Sequence, residues 1–210
     1  MPLHESPRRL IVGITGATGT IYGIRLLETL AELGVESHLV VSRAGDMTRA
    51  QETALSAAEL RRKATRHYAV GDVGAAIASG SFRTLGMVIA PCSMRTVAEL
   101  ATGVTSTLLT RAADVCLKER RRLVLLVRET PLHLGHLRNM AAIAEMGGII
   151  APPVPAFYPR PSDIDDLVAH TVGRVLDLFG LDSGAVHRWG ETAAEPSPVN
   201  DISPSIAFPE

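Results

Sequence analysis

Short apolar runs alternate with amphipathic segments through residues 9–179, and this alternation constrains the fold more than any other feature of the sequence. The clearest runs are residues 10–14, 87–90 and 123–127, and a stretch with helical periodicity follows each of them. Strands that alternate with helices form parallel sheets through right-handed crossovers. We therefore predict an α/β domain built on a doubly wound parallel sheet.

Hydrophobic periodicity and helix-breaking residues place the elements along the chain. The predicted strands are residues 10–14, 35–42, 87–90, 123–127 and 148–151. The predicted helices are one that ends at Gly34 and residues 43–64, 93–102, 105–120, 134–146 and 163–179. Residues 65–81 lack periodicity and are predicted to be a loop with short elements, and Pro91 is predicted to end the third strand. Ligands of such sheets bind at the carboxyl ends of the strands, so the residues after each strand are the functional candidates.

The composition favours one globular domain. Hydrophobic residues make up 46% and charged residues 20% of the 210 residues, and the formal net charge of −1 provides no field for nucleic acid or an anionic membrane. Cys92 and Cys116 are too few for a disulfide scaffold and lack zinc-ligand spacing, which favours a reduced cytosol. No apolar run approaches the roughly 18 residues of a membrane span, and the N-terminus lacks a signal peptide. We expect a cytoplasmic protein with no membrane or nucleic-acid partner.

One folded domain is predicted, from residue 9 to residue 181. Residues 1–8 are predicted to be an N-terminal arm. Residues 182–210 include Pro196, Pro198, Pro204 and Pro209 and are predicted to be an extended tail that is ordered only where something holds it.

A glycine turn at residues 13–19 (GITGATG) joins the first strand to the first helix. Gly16 and Gly19 let backbone N–H groups approach a phosphate at the positive helix end, and Thr15 and Thr18 add hydroxyl donors. The favoured interpretation is a phosphate site, and the alternative is a tight turn without a ligand. The turn leaves the identity of the nucleotide open.

The spacing of this turn also fits an NADP-dependent short-chain reductase, in which Arg43 could bind a 2′-phosphate. Such an enzyme needs a tyrosine four residues before a lysine. Lys63 and Lys118 are the only lysines among the 21 basic residues, and Glu59 and Asp114 stand four positions before them. The catalytic pair of this reductase class is therefore missing.

Residues 91–96 (PCSMRT) carry the next strand into a helix. Ser93 and Thr96 offer hydroxyl groups and free N–H groups, and Arg95 offers a cation, to a second anionic or carbonyl-rich part of the same ligand. The alternative is a helix cap alone. Cys92 is interpreted as buried filler rather than as a nucleophile.

Charged residues on the helix 105–120 and after the strand 123–127 are further candidates. Arg111, Asp114 and Lys118 share one helix face and could form a surface ion-pair ladder, but a retained lysine in an arginine-rich chain suggests a site for a compact ammonium. Arg128 and Glu129 follow a buried strand, where burying a charge costs free energy unless the charge is paired or binds a ligand. Arg128 could therefore hold a phosphate and Glu129 could carry a proton.

Two further features come from the last third of the chain. Tyr158 ends a proline-rich loop, and Arg174 flanks the apolar stripe of the last helix, where its head could reach a cleft. His133 and His136 have no third ligand at a suitable spacing, so we interpret them as packing at the start of a helix rather than as a metal site.

Four ordered segments of this chain together resemble the UbiX/Pad1-type flavin prenyltransferases. These segments read GATGTIYG, SGSFRTLGMVIAPCSMRT, LLTRAADVCLKERRRLVLLVRETPLHLGHLRNM and PPVPAFYPRP, and the resemblance covers about residues 9–189. It implies a flavodoxin-like, Rossmann-like fold and a homododecamer built from trimers, with sites between subunits. It also implies an enzyme that joins the dimethylallyl group of dimethylallyl monophosphate to reduced FMN. No metal is implied, and the product is the prenylated flavin that UbiD-type decarboxylases use.

The resemblance also implies roles for individual residues. The FMN-binding residues implied are Gly16, Ala17, Thr18, Ser42, Ser93, Met94, Arg95, Thr96 and Arg128. The residues implied around the prenyl phosphate are Lys118, Arg128, Tyr158 and Arg174, with Arg111 as a further member. The catalytic residues implied are Glu129, Lys118, Glu52 and Thr18. Trp189 matches a tail segment that packs near the site of a neighbouring subunit.

Two segments depart from the family pattern. The glycine turn reads GAT where the family commonly reads GAS, so Thr18 is expected to supply the hydroxyl group of the family's serine. Ser106 and Thr107 stand where the family usually has Asp followed by Asn or Gly, which bears on loop or interface geometry.

Two alternatives to prenyl transfer stay open. The first is an FMN-dependent oxidative decarboxylase of the same fold, whose Pro-x-Met-Asn loop is replaced by PPVPA at residues 152–156. The second is a non-catalytic subunit that binds or delivers FMN. Mass analysis of the flavin distinguishes all three, because only a prenyltransferase adds mass to it.

Overall fold

The computed structural model describes residues 8–188, which form a parallel sheet of six strands flanked by helices. The strands are β1 Arg9–Ile14, β2 Glu36–Val41, β3 Arg66–Tyr68, β4 Gly86–Cys92, β5 Arg122–Val127 and β6 Ile149–Ile150. The helices are α1 Thr20–Glu32, α2 Arg43–Glu52, α3 Ala57–Arg62, α4 Met94–Ala101, α5 Leu108–Lys118, α6 Leu134–Glu145 and α7 Ile164–Asp177. The predicted doubly wound α/β fold is confirmed. Trp189 and most of the predicted arm and tail lie outside the described residues.

The strand order is β3-β2-β1-β4-β5-β6, so the winding direction reverses between β1 and β4. Helices α1 and α7 pack on one face of the sheet, and α4, α5 and α6 pack on the other. The reversal opens a crevice at the carboxyl ends of β1 and β4, which is where ligands of doubly wound sheets bind.

The strand β5 shows how the apolar pattern builds both layers. Val124 and Leu126 belong to the core on the α1 side, whereas Leu123, Leu125 and Val127 belong to the core on the α5 side. Alternate residues of a strand point to opposite faces, so a continuous apolar run requires cover on both sides. This prediction from the sequence is confirmed.

The segment 43–64 is two helices rather than the single predicted helix. Helix α2 ends at Glu52 and is followed by Thr53, whose backbone is extended, and α3 begins after Ser56. The Ser56 side chain accepts the N–H of Glu59, and the Glu59 carboxylate accepts the N–H of Ser56. This capping box satisfies the free N–H groups of a new helix and fixes its start.

The segment 65–81 is a loop with short elements, as predicted. One of them is the edge strand β3, which pairs only with β2 among the described strands. One predicted strand boundary differs. Strand β4 continues through Pro91 to Cys92 instead of ending before the proline, and its pairing with β5 shifts register between Ile89 and Cys92. A register shift accommodates a residue that has no N–H to donate to the ladder.

None of the helices within residues 8–188 is both long enough and apolar enough to span a membrane.

Candidate active site

Three helix N-termini meet in the crevice at the carboxyl edge of the sheet. Ser42 caps α2, Ser93 caps α4 and Thr107 caps α5, and each side-chain oxygen accepts a backbone N–H three residues later, over 3.0, 3.4 and 3.2 Å. One cavity is lined by all three caps together with Gly16 and Thr96. Helix N-termini carry free N–H groups and a partial positive charge, so this cavity suits a phosphate.

The cavity has a volume of about 160 Å³. Cofactor pockets usually enclose about 300–1,000 Å³. The cavity of a single chain is therefore large enough for the phosphate end of a nucleotide but not for a whole nucleotide. Gly16 lets the glycine turn pack closely against the start of α2, because a side-chain carbon there would lie 2.4 Å from the Cβ of Ala44.

Thr15 braces the wall of this cavity and does not face a ligand. Its hydroxyl is buried, donates to the Pro91 carbonyl over 2.9 Å and accepts the Ser93 N–H over 2.8 Å. The Thr15 hydroxyl has one proton and donates it to a backbone carbonyl, so it has none to donate to a ligand. The prediction that Thr15 donates to a phosphate is wrong, and its role is to hold the start of α4 against the end of β1.

A carboxylate occupies the N-terminus of α1. The Oε1 and Oε2 atoms of Glu52 each lie 3.1 Å from the Gly19 nitrogen, and Oε2 accepts the Thr20 N–H over 2.8 Å. Burial raises the pKa of Glu52, but hydrogen bonds from Thr18, Thr20 and Gly19 outweigh it and hold the pKa below its usual value. Glu52 therefore occupies the helix end at which the sequence predicted a phosphate, whereas the N-termini of α2, α4 and α5 line the cavity.

The other FMN-binding candidates differ in burial and in their hydrogen-bond partners. Met94 is buried in the core on the α5 side, so only its backbone can contact a ligand. The Arg95 side chain is 84% exposed and pairs with Glu99 over 2.9 Å. Ala17 lies in the glycine turn, where its N–H donates to the Thr15 carbonyl over 2.9 Å.

Arg128 and Glu129 follow β5 at the same edge of the sheet. The Arg128 N–H donates to the Cys92 carbonyl over 3.1 Å, which places Arg128 next to the Ser93 cap. Both side chains are exposed, and the Glu129 carboxylate accepts the Thr130 N–H over 3.1 Å. Burial raises the pKa of the Cys92 thiol, consistent with an inert core residue.

Tyr158 and Arg174 belong to the α7 side of the protein. The Tyr158 hydroxyl lies 3.1 Å from Nε2 of His170, and Arg174 stands one helical turn after that histidine. Arg174 pairs with Asp177 over 2.8 Å. No hydrogen bond or ion pair between described residues joins this group to Arg128.

Helix α5 separates Lys118 from the crevice. Arg111 pairs with Asp114 over 2.9 Å near the start of the helix, as the one-face prediction implied, but Lys118 ends the helix and pairs with Glu119 over 2.6 Å. Lys118 precedes β5 and Arg128 follows it, so the two lie at opposite ends of a six-residue strand, roughly 20 Å apart. One chain does not bring Lys118 and Arg128 together.

Two residues had no role assigned from the sequence, and the structure brings them to the candidate site or to its predicted members. Thr107 departs from the family pattern, yet it forms a capping box with Thr110 and supplies the third helix N-terminus. Its signal was a threonine three residues before a second hydroxyl residue at the start of an apolar run. His170 had no local signal, because its partner Tyr158 lies in the preceding loop. His133, as predicted, belongs to a helix start, where it caps α6.

Comparison with known proteins gives concordant matches over most of the chain. A model of the family described as Flavoprotein matches residues 2–176. Flavin prenyltransferase UbiX of Neisseria meningitidis is 56% identical over 182 residues, which cover 87% of this chain and 96% of that protein. Among solved structures, AnUbiX (PadA1) in complex with FMN and dimethylallyl pyrophosphate superposes with a TM-score of 0.87 at 47% identity, covering 89% of this chain and all of that one. A dodecameric FMN-dependent UbiX-like decarboxylase from Escherichia coli O157:H7 gives a TM-score of 0.84 at 49% identity, covering 86% and 98% of the two chains.

Proposed function

This chain belongs to the Flavoprotein family and, within it, to the UbiX-type flavin prenyltransferases, and on that premise we propose that it joins the dimethylallyl group of dimethylallyl monophosphate to N5 and C6 of reduced FMN. The observation that carries the proposal is the convergence of three helix N-termini beside Arg128 at the carboxyl edge of the sheet. Such a site binds a phosphate without a metal.

The FMN phosphate would lie in the cavity between α2, α4 and α5. Backbone N–H groups at the three helix starts would bind it, with the Ser42, Ser93 and Thr96 hydroxyl groups as further donors. The remaining FMN contacts proposed come from Gly16, Ala17, Thr18, Met94, Arg95 and Arg128. The cavity geometry supports the hydroxyl, Gly16 and Arg95 contacts most directly, since these residues line it.

The prenyl phosphate would be bound by residues of more than one copy of the chain. Arg128 stands at the crevice, whereas Lys118 lies at the opposite edge of the same sheet. Lys118 would therefore reach the site of a neighbouring copy, where it would join Arg128, Tyr158 and Arg174, with Arg111 on the same face of α5 as a further member. Exposed apolar side chains such as Leu134 and Phe157 and the dodecameric homologue support an assembly, for which we propose a homododecamer.

Reduced FMN supplies an electron-rich ring system, and the chain supplies charge stabilisation and proton transfer. As the allylic C–O bond breaks, its electron pair goes to the phosphate. The Lys118, Arg128 and Arg174 cations and the Tyr158 hydroxyl would stabilise this negative charge. Glu129, or the released phosphate, would carry the protons displaced as the two new bonds form. Glu52 and Thr18 would provide a second carboxylate–hydroxyl pair at the same end of the crevice.

The fate of the product and the location of the protein follow from the same proposal. Prenylated FMN would pass to a UbiD-type decarboxylase. We place the protein in the cytoplasm, and the buried free thiols of Cys92 and Cys116 support a reducing compartment.

The test is anaerobic incubation of the protein with reduced FMN and dimethylallyl monophosphate, followed by mass analysis of the flavin. We expect the flavin to become heavier by one five-carbon unit. A parallel reaction with the pyrophosphate ester determines which ester is the donor. A flavin of unchanged mass with both esters would contradict the proposal and leave the oxidative decarboxylase and the FMN-delivery subunit as candidates.

A further inference from the structure

A buried histidine lies beneath the hydroxyl group of Tyr158. His170 is on α7 and only 9% exposed, and its Nε2 atom lies 3.1 Å from the Tyr158 oxygen. The two rings pack edge to face, with centroids 5.6 Å apart and planes at 84°. A cavity of about 310 Å³ lies beside His170 and is lined by Arg160 and His187 among others.

The hydrogen bonds of Tyr158 fix which ring nitrogen of His170 carries a proton. The Tyr158 O–H group donates to the backbone carbonyl of His187 over 3.3 Å, and a carbonyl can only accept. A phenol has one proton, so the contact with His170 requires an Nε2–H group that donates to the Tyr158 oxygen. Burial, followed by the charges of Arg174 and His187, lowers the pKa of His170, so the imidazole is neutral and has a single N–H.

From this arrangement, and resting on the proposed function, we infer that His170 is a positioning residue that directs the Tyr158 proton to the phosphate of the prenyl donor. The Nε2–H group of His170 occupies a lone pair of the Tyr158 oxygen and leaves the phenolic proton pointing away from α7. A phosphate oxygen then replaces the His187 carbonyl as the acceptor. A phenol that accepts one hydrogen bond is also a stronger donor in the next.

The residues around Tyr158 explain why a histidine is needed to position its hydroxyl group. Tyr158 lies in the irregular segment between β6 and α7 and is 48% exposed, so no regular element orients its ring. Arg174 is one turn from His170 on α7 and is held by Asp177. His170 therefore ties the Tyr158 hydroxyl to the helix that carries the neighbouring cation, and the two phosphate ligands keep a fixed separation.

Binding of dimethylallyl monophosphate, measured by calorimetry with oxidised FMN present, tests this inference without turnover. We expect His170→Phe to weaken binding by about tenfold, the value of one hydrogen bond to a charged ligand. His170→Gln offers an amide N–H in place of Nε2–H and should recover most of the affinity. Tyr158→Phe should weaken binding as well, and the double variant His170→Phe/Tyr158→Phe should bind no worse than Tyr158→Phe alone.

Each outcome decides the question. Additive losses in the double variant, or full affinity in His170→Phe, would overturn the positioning role, as would equal losses in His170→Phe and His170→Gln. Urea unfolding midpoints of all variants identify a loss that comes from folding, and His170→Gln is the variant expected to stay folded. If the wild-type protein binds the ester but never prenylates the flavin, the proposed function fails, whereas the affinities of the His170 variants still test the positioning role. If it does not bind the ester, both fail.

Discussion

Replacing Thr15 by valine removes one hydroxyl group from the junction of β1, β4 and α4 while keeping the shape of the side chain. Thr15 is 1% exposed, and its hydroxyl accepts the Ser93 N–H over 2.8 Å and donates to the Pro91 carbonyl over 2.9 Å. The Pro91 carbonyl keeps a second donor, the Thr15 N–H at 3.1 Å, but the Ser93 N–H loses its partner. A buried polar group left unpaired costs about 1–3 kcal/mol, so we expect the free energy of unfolding to fall by about 1–3 kcal/mol.

The measurement is urea unfolding at one fixed protein concentration, because assembly makes stability depend on concentration. Thr171→Val is the matched control. Its hydroxyl donates to the Leu167 carbonyl over 2.8 Å within α7, where bonding of this kind stabilises little. FMN affinity should fall in Thr15→Val and stay unchanged in Thr171→Val, because Ser93 starts a helix that lines the phosphate cavity. Equal unfolding midpoints for the two variants would refute the assigned role of Thr15.

Three further predictions concern the carboxylates and a buried histidine. Glu52→Gln should lower the free energy of unfolding by about 1 kcal/mol in thermal denaturation, because an amide loses the favourable charge at the N-terminus of α1; an unchanged transition would contradict this. Glu129→Gln should leave FMN bound but stall formation of prenylated flavin, and full turnover in this variant would remove Glu129 from the mechanism. Burial lowers the pKa of His38, so the unfolded chain binds more protons and stability should fall as the pH drops below about 6.5. Melting temperatures measured between about pH 7.5 and pH 5 should fall less in His38→Gln than in the wild type, and equal slopes would show that His38 does not titrate in this way.

The elements that could be predicted are those whose burial or capping requires a recognisable residue pattern in the local sequence. The run at residues 123–127 is apolar because both of its faces are covered, and Ser93 is recognisable because a cap needs a hydroxyl directly before a helix. The edge strand β3 has two exposed residues, Arg66 and His67, and no apolar alternation, so only its pairing with β2 defines it. The Ser-x-x-Glu signal at Ser56 was present in the sequence and marks the break between α2 and α3.

The site was predictable where its residues follow strands and not where distant segments meet. Glu52 lies 33 positions from Gly19, and nothing local to the glycine turn shows that a carboxylate fills the end of α1. The roles assigned to the candidate phosphate-binding residues stay predictions, and the structure adds where each of them lies in the fold. The strand predicted at residues 123–127 already separates Lys118 from Arg128, and the structure confirms that the two lie at opposite edges of the sheet.

The proposal therefore rests on a site that no chain completes alone, and mixed oligomers test it directly. Lys118→Gln and Arg128→Gln chains, co-expressed with two different affinity tags and purified through both, would be assayed for prenylated FMN. Each variant alone should be inactive, whereas the mixed oligomers should regain roughly a quarter of the wild-type rate, since random assembly pairs an intact Lys118 with an intact Arg128 in that fraction of sites. Mixed oligomers as inactive as the single variants would show that the two residues act within one chain and would contradict the shared site.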